Sequence, residues 1–148
     1  GVKVSGNEDA VMVVDSPYLS AYTLEEHLEP MPHPFTTTDI IETDDGKFRL
    51  LGRLSEIVKV SGKRISLVEL EHLIEKALKV KDALICLERD SSRLKDEMLI
   101  IEIAGGDAVQ SNDVASLFKQ HYPEINFHFS LIHVDAVAKN AMGKKVRR

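Results

Sequence analysis

The chain has 148 residues, 43% of them apolar and 29% charged. That is the length of one ordinary domain on a prior of roughly 150 residues each, with enough apolar content for a core, so a disordered tail and a mini-protein are both excluded. Nineteen basic residues against 24 acidic ones give a net charge of −5. Residues 139–148 hold Lys139, Lys144, Lys145, Arg147 and Arg148 with no acid, which leaves fourteen bases against 24 acids on residues 1–138. This balance argues against a body that binds polyanions and leaves the basic tail as the segment suited to meeting an anion.

The longest apolar stretches, such as residues 10–14 and 98–101, fall far short of the roughly 20 residues a membrane helix needs, and residues 1–20 have no basic-then-apolar signal pattern. The expectation is a soluble, cytoplasmic protein. The single cysteine, Cys86, lies in the apolar run 83–87, which reads as a buried structural thiol, and there is no disulfide framework.

In chain order, residues 10–14 form a β-rich run ending at Asp15-Ser16-Pro17. The cluster Pro30-Met31-Pro32-His33-Pro34 cannot be helix or central strand and reads as an extended connector. Residues 36–52 read as a hairpin: β-branched Thr36-Thr37-Thr38-Asp39-Ile40-Ile41, the turn residues Asp44-Asp45-Gly46, then a second extended segment. From residue 53 the composition changes. Segments 56–60 and 64–66 flank Ser61-Gly62-Lys63, which predicts a second hairpin with Gly62 where φ is positive. Ser66 then precedes a helix marked by Leu67, Leu70, Leu73, Ile74, Ala77 and Leu78, with Glu69 placed as in a capping box. Apolar runs 83–87 and 98–104 predict two strands joined by the charged, solvated segment 88–97. A second helix runs from Ser111-Asn112-Asp113 to about His121 with Pro123 as its stop, and residues 127–134 give a third strand. The fold class is α+β: a small three-stranded sheet with two helices on one face and a hinge β-hairpin, preceded by a small β module.

Six histidines, His27, His33, His72, His121, His128 and His133, show no metal-ligand spacing, so no metal site is assigned. The chain carries neither a Walker-type phosphate loop nor G-x-G-x-x-G, and Gly105-Gly106-Asp107 reads as a turn. Thr37-Thr38-Asp39, Gly52-Arg53, the Lys59 to Arg64 hairpin and the tail AKNAMGKKVRR (138–148) are each weak signals singly. Together and in this order they resemble the adenylate-forming superfamily of acyl- and aryl-CoA ligases, peptide-synthetase adenylation domains and luciferases. That superfamily has a T-G-D motif, a G-R-x-D-x-x-K-x-x-G-x-R-I hinge motif and a P-K-T-x-x-G-K-[IV]-x-R-type loop. The matching segments here are TTD (37–39), GRLSEIVKVSGKRI (52–65) and the tail, with Leu67-Val68-Glu69-Leu70-Glu71 like the E-[VI]-E helix. Ser16-Pro17-Tyr18-Leu19-Ser20-Ala21-Tyr22 resembles the strand ending in Gly-Tyr.

The resemblance implies that residues 1–52 are the end of a large N-terminal domain and residues 53–148 a mobile C-terminal domain. It implies a ribose-diol acceptor in Asp39, whose two carboxylate oxygens suit that role. It implies in Arg53 a permanent cation for ribose and phosphate, and in Lys144 the catalytic cation for carboxylate and α-phosphate, on a loop loosened by Gly143. Lys145 stands where the superfamily has an apolar residue and is the lesser candidate. Ser55 occupies the hinge position, Gly62 would line the thiol tunnel, and Lys59 and Arg64 would face the active site during thioester formation. Four departures (Thr38, Ser55, Ala138, Ala21) suggest a divergent branch.

The implied function is a C-terminal fragment of an ATP-dependent acid–thiol ligase, inactive in isolation because the phosphate loop and acyl pocket lie elsewhere. It uses ATP with an AMP intermediate, Mg2+ whose ligands are not in this chain, and CoA or phosphopantetheine. Its partners are a small carboxylic acid, CoA or an acyl carrier protein, and the rest of its N-terminal domain. The alternatives are a non-catalytic α+β interaction module whose basic tail docks an acidic partner, and a luciferase-like oxygenase.

Overall fold

A computed structural model describes residues 1–24, 28–88 and 98–147. The expected solvated segment 88–97 falls outside the described residues except for Glu88, as do His27 and Arg148. The chain divides into two compact units, Gly1–Ile57 and Val58–Arg148. The division lies a few residues beyond the 52/53 boundary expected from sequence, because Arg53 is still paired in a first-unit strand and a 3-10 turn, Leu54–Glu56, comes after it.

The first unit is built from strands β1 (Lys3–Gly6), β2 (Val11–Asp15), β3 (Tyr22–Leu24), β4 (Leu28–Pro30), β5 (Phe35–Asp44) and β6 (Lys47–Arg53). β1, β2, β5 and β6 form one antiparallel sheet in that order, while β3 and β4 pair separately. The β5–β6 hairpin turns at Asp45 and Gly46, both at positive φ, which is what the Asp-Gly pair predicts for a tight two-residue turn. Its ladder slips between Ile40↔Gly52 and Ile41↔Leu50, leaving one extra residue on β6. Such a bulge bends a strand and re-aims the residues beyond it.

Two expectations are corrected in this unit. Residues 16–21 are turn, not strand: Ser16 Oγ accepts from the Tyr18 amide at 3.2 Å, and the Leu19 amide donates to the Ser16 carbonyl at 3.3 Å. A serine before proline supplies its own local acceptor, and that turn chemistry wins over extension. Pro30, placed in a connector, ends β4, a strand with one pairing partner where a missing N–H is tolerated.

β7 (Ile57–Val60) starts at the last residue of the first unit; the second unit contains the rest of it with β8 (Lys63–Ser66), helix α1 (Leu67–Leu78), β9 (Asp82–Glu88), β10 (Met98–Ala104), helix α2 (Ser111–His121) and β11 (His128–Val134). Its sheet runs β11-β10-β9, with β10 parallel to β11 through the α2 crossover and antiparallel to β9. Ser66 caps α1, its Oγ accepting from the Glu69 amide at 3.2 Å. Helix α2 starts at Ser111 as expected, and its cap is Gln110, whose amide donates to Asp113 Oδ2 at 2.8 Å.

Strand alternation sorts this sheet into two faces. Ala83 and Ile85 with Leu99, Ile101 and Ile103 face both helices and pack on Leu70, Ile74, Val114 and Phe118. Each buried Val, Leu or Ile among these contributes about 1.5–3 kcal/mol relative to exposure. On the opposite face Leu84, Cys86 and Ala104 meet Val137, the residue before the tail. Cys86 is therefore a buried packing thiol. No helix among the described residues is long and apolar enough to cross a membrane.

Candidate functional site

In the first unit the bulged β5–β6 ladder sets Asp39 directly opposite Arg53. The Asp39 amide donates to Thr37 Oγ1 at 3.1 Å, and that hydroxyl donates to the Met12 carbonyl on β2 at 3.0 Å. Thr37 thus pins the strand end on which Asp39 sits. Among the described residues, no side chain pairs with the Asp39 carboxylate or the Arg53 guanidinium. A half-buried carboxylate beside an exposed guanidinium can accept from a diol with one member and hold a phosphate with the other. Ser55, exposed, is the middle residue of the 3-10 turn that leads toward the second unit.

In the second unit the β7–β8 hairpin turns at Ser61 (φ 50°) and Gly62 (φ 76°). Both central residues lie in the left-handed region, the geometry of a type I′ turn. Val58 and Ile65 enter the core, so alternation leaves Lys59 and Arg64 together on the exposed face. A Cβ at Gly62 would meet no atom within 4 Å. Within this chain the glycine answers the turn's φ, and an obstruction argument needs a ligand or another segment beside it. Lys63 at the hairpin's end is ion-paired to Glu124, whose carboxyl is held below its ordinary pKa by that hydrogen bond.

The basic tail folds back as a small hairpin. Lys139 and Lys145 are antiparallel bridge partners, the Val146 amide donates to the Ala138 carbonyl at 2.9 Å, and the Asn140 amide donates to the Lys144 carbonyl at 2.8 Å. Asn140 Oδ1 accepts from the amides of Met142 and Lys144 at 3.0 and 2.9 Å. Gly143 takes φ 76° at the turn, a left-handed value that glycine adopts without strain. Lys144 is exposed at this tip.

Sequence reasoning missed the groups that anchor the hairpin. Glu71 and Glu75 of α1 each cap an amide on the outer edge of β9: Ile85 N to Glu71 Oε1 at 2.9 Å and Ala83 N to Glu75 Oε1 at 3.0 Å. The same carboxylates then receive the tail. Lys145 Nζ lies 2.5 Å from Glu75 Oε1, 3.1 Å from Asp82 Oδ1 and 2.7 Å from the Ala83 carbonyl, and Arg147 donates to Glu71 Oε1 at 2.5 Å. Lys139 reaches the other Asp82 oxygen at 2.5 Å. Burial pushes the Asp82 carboxyl up, but the hydrogen bonds from Lys139 and Lys145 outweigh it and hold it below its ordinary value. Burial likewise opposes the Lys145 charge, and its bonds to Glu75 and Asp82 leave it above its ordinary value. The tail is therefore not a general anion patch: three of its cations are already matched by acids of the same unit.

Among the described residues no group of three His, Cys, Asp or Glu side chains is arranged to hold a metal ion. A cavity of about 360 Å³ beside α2, walled by Phe118, Phe127 and Phe129, includes none of the nominated residues.

In both sequence and fold the chain is similar to a C-terminal portion of adenylate-forming enzymes, among curated proteins and solved structures alike. A linear gramicidin synthase of Brevibacillus parabrevis is 28% identical over 127 residues, covering 80% of this chain and 2% of that protein. Acyl-CoA ligase ppsA of Aspergillus oryzae is 28% identical over 117 residues, covering 77% of this chain and 21% of the ligase. The amide bond synthetase McbA of Marinactinospora thermotolerans superposes on 97% of the chain with a TM-score of 0.62 at 18% identity, using 33% of its own length. No family profile matches the chain. The chain thus spans a small fraction of the curated relatives it matches.

Proposed function

We propose that this chain is the C-terminal part of a cytoplasmic ATP-dependent acid–thiol ligase, with residues 1–52 closing the large domain and residues 53–148 forming the mobile one. In the first step a substrate carboxylate oxygen attacks the α-phosphorus of ATP and the bond to pyrophosphate breaks, giving acyl-AMP. In the second, the thiol of CoA or of a carrier-protein pantetheine attacks the acyl carbonyl, loses its proton, and AMP leaves.

The observation that carries this reading is the isolation of Lys144: it stands exposed at the tip of a hairpin whose neighbouring cations are turned into the unit's own acids. An ammonium with no acidic partner among the described residues, held on a fixed turn, can stabilise the negative charge that builds between carboxylate and α-phosphate. Asp39 and Arg53 would hold the ribose and phosphate. Lys59, Gly62 and Arg64 would line the approach of the thiol, with Ser55 in the hinge. Mg2+ would accompany the ATP phosphates, with protein ligands outside this chain.

The test is carboxylate-dependent ATP–pyrophosphate exchange, run on this chain alone and on the chain continuous with a domain carrying a serine- and glycine-rich phosphate loop. Exchange only by the longer protein supports the reading. Exchange by the 148-residue chain alone, or by neither, refutes it.

A further inference from the structure

Lys145 occupies the one position of the tail at which the superfamily resemblance calls for an apolar side chain, and the structure gives its ammonium a full set of acceptors. Its side chain is 20% exposed, and Nζ contacts Glu75, Asp82 and the Ala83 carbonyl, one partner for each of its three donors. Glu71 lies 3.7 Å away. Lys139 is its bridge partner on the opposite strand of the hairpin. Like charges directly opposite in a ladder repel, but Asp82 stands between these two and gives one carboxylate oxygen to each. Three acids, Glu71, Glu75 and Asp82, thus face three bases, Lys139, Lys145 and Arg147, and both strands of the hairpin are tied to α1 and the start of β9.

We propose that Lys145 is a positioning residue: with Glu75 and Asp82 it locks the tail hairpin onto α1 and β9, so that Lys144 projects from a rigid support. The role rests on the reading of Lys144 as the catalytic cation. Three saturated donors fix Lys145 in one geometry. Lys145 is covalently next to Lys144, whose own amide is fixed by Asn140 Oδ1. Misplacing a reacting group by about 1 Å can cost on the order of a hundredfold in rate, so a support of this kind bears directly on the chemistry. An apolar side chain at 145 would pack, but it would leave Glu75 and Asp82 without their shared cation and the two strands tied to different partners.

Two measurements test this. The first is amide hydrogen exchange on the chain as it stands, comparing Lys145→Met, Lys145→Arg and Lys144→Ala. Lys145→Met is expected to speed exchange at the Asn140, Lys144 and Val146 amides by about tenfold or more while the β10 amides keep their protection. Lys145→Arg and Lys144→Ala are expected to change them little. The second is a double-mutant cycle for acyl-AMP formation in the longer ligase. Lys145→Met should lower the rate by about tenfold or more with Lys144 present and add nothing in a Lys144→Ala background. Unchanged tail exchange in Lys145→Met overturns the clamp, and equal loss in both backgrounds overturns the positioning role. A fully active Lys144→Ala enzyme defeats the catalytic assignment of Lys144 and the positioning role with it, whereas the exchange arm still decides the clamp alone.

Discussion

Replacing Glu71 with alanine tests whether the α1 carboxylates hold the second unit together. Glu71 is 1% exposed; Oε1 accepts from the Ile85 amide at 2.9 Å and from Arg147 at 2.5 Å. Removing one partner of a buried ion pair costs up to about 3–5 kcal/mol, and less where, as for Arg147, the other charge keeps a further contact. An orphaned buried amide costs about 1–3 kcal/mol. The two overlap, since water entering the vacated space can serve both, so the expected loss is about 3 kcal/mol. Against a typical domain stability of about 5–15 kcal/mol this is a large fraction. Glu71→Gln keeps an acceptor for the Ile85 amide and loses only the charge, so its cost should fall near half of that. Urea unfolding followed by the helical circular dichroism signal reports this unit directly, because both helices lie in it. The m-value should stay constant. A loss below about 1 kcal/mol for Glu71→Ala, the size expected of an exposed pair, would refute the reasoning.

The clamp also has a defined pH window. Asp82 is depressed below its ordinary value of 3.8, so its contribution is present above that value and is lost as pH falls through the lower folded-state pKa. Lys145 is raised above its ordinary 10.5, so its contribution is complete below 10.5 and is lost as pH rises through the higher folded-state value. Thermal unfolding of Lys145→Met compared with the parent chain should therefore show a stability difference that is flat through neutral pH and shrinks at both extremes; a difference that varies across about pH 6–8 contradicts it. At the hairpin, Gly62→Asn tolerates the left-handed φ while adding a side chain. In the proposed ligase, Gly62→Asn should leave acyl-AMP formation unchanged and slow thioester formation, measured by product release with CoA or a carrier protein. Unimpaired thioester formation in Gly62→Asn would remove Gly62 from the thiol path.

The elements with local signatures were legible in the sequence. Asp45-Gly46 and Ser61-Gly62 announced two hairpins, Ser66 with Glu69 announced the start of α1, and the run 98–104 is β10 residue for residue. The features that stayed hidden depend on partners distant along the chain. Strands β1 and β4 are short and mostly exposed and β3 spans three residues, so they carry little hydrophobic pattern. The anchoring role of Glu71 and Glu75 was hidden because their partners, Arg147 and Lys145, lie 76 and 70 residues away. One signal was available: Glu71 falls between Leu70 and Ile74, inside the apolar arc of α1, where an acid demands a buried partner. The basic tail and the acidic body were thus the two halves of one ion-pair network. The Asp39–Arg53 pairing needed the bulge in β6, which composition does not announce.

The most direct test of the account is Lys144→Ala in the proposed full-length ligase, with acyl-AMP formation and the transfer of preformed acyl-AMP to thiol measured separately. Removing a preorganised charge at the developing anion costs on the order of 10²–10³ in rate. The account predicts a loss of that size in acyl-AMP formation with thiol transfer largely retained. Unchanged acyl-AMP formation, or equal loss in both steps, would contradict it.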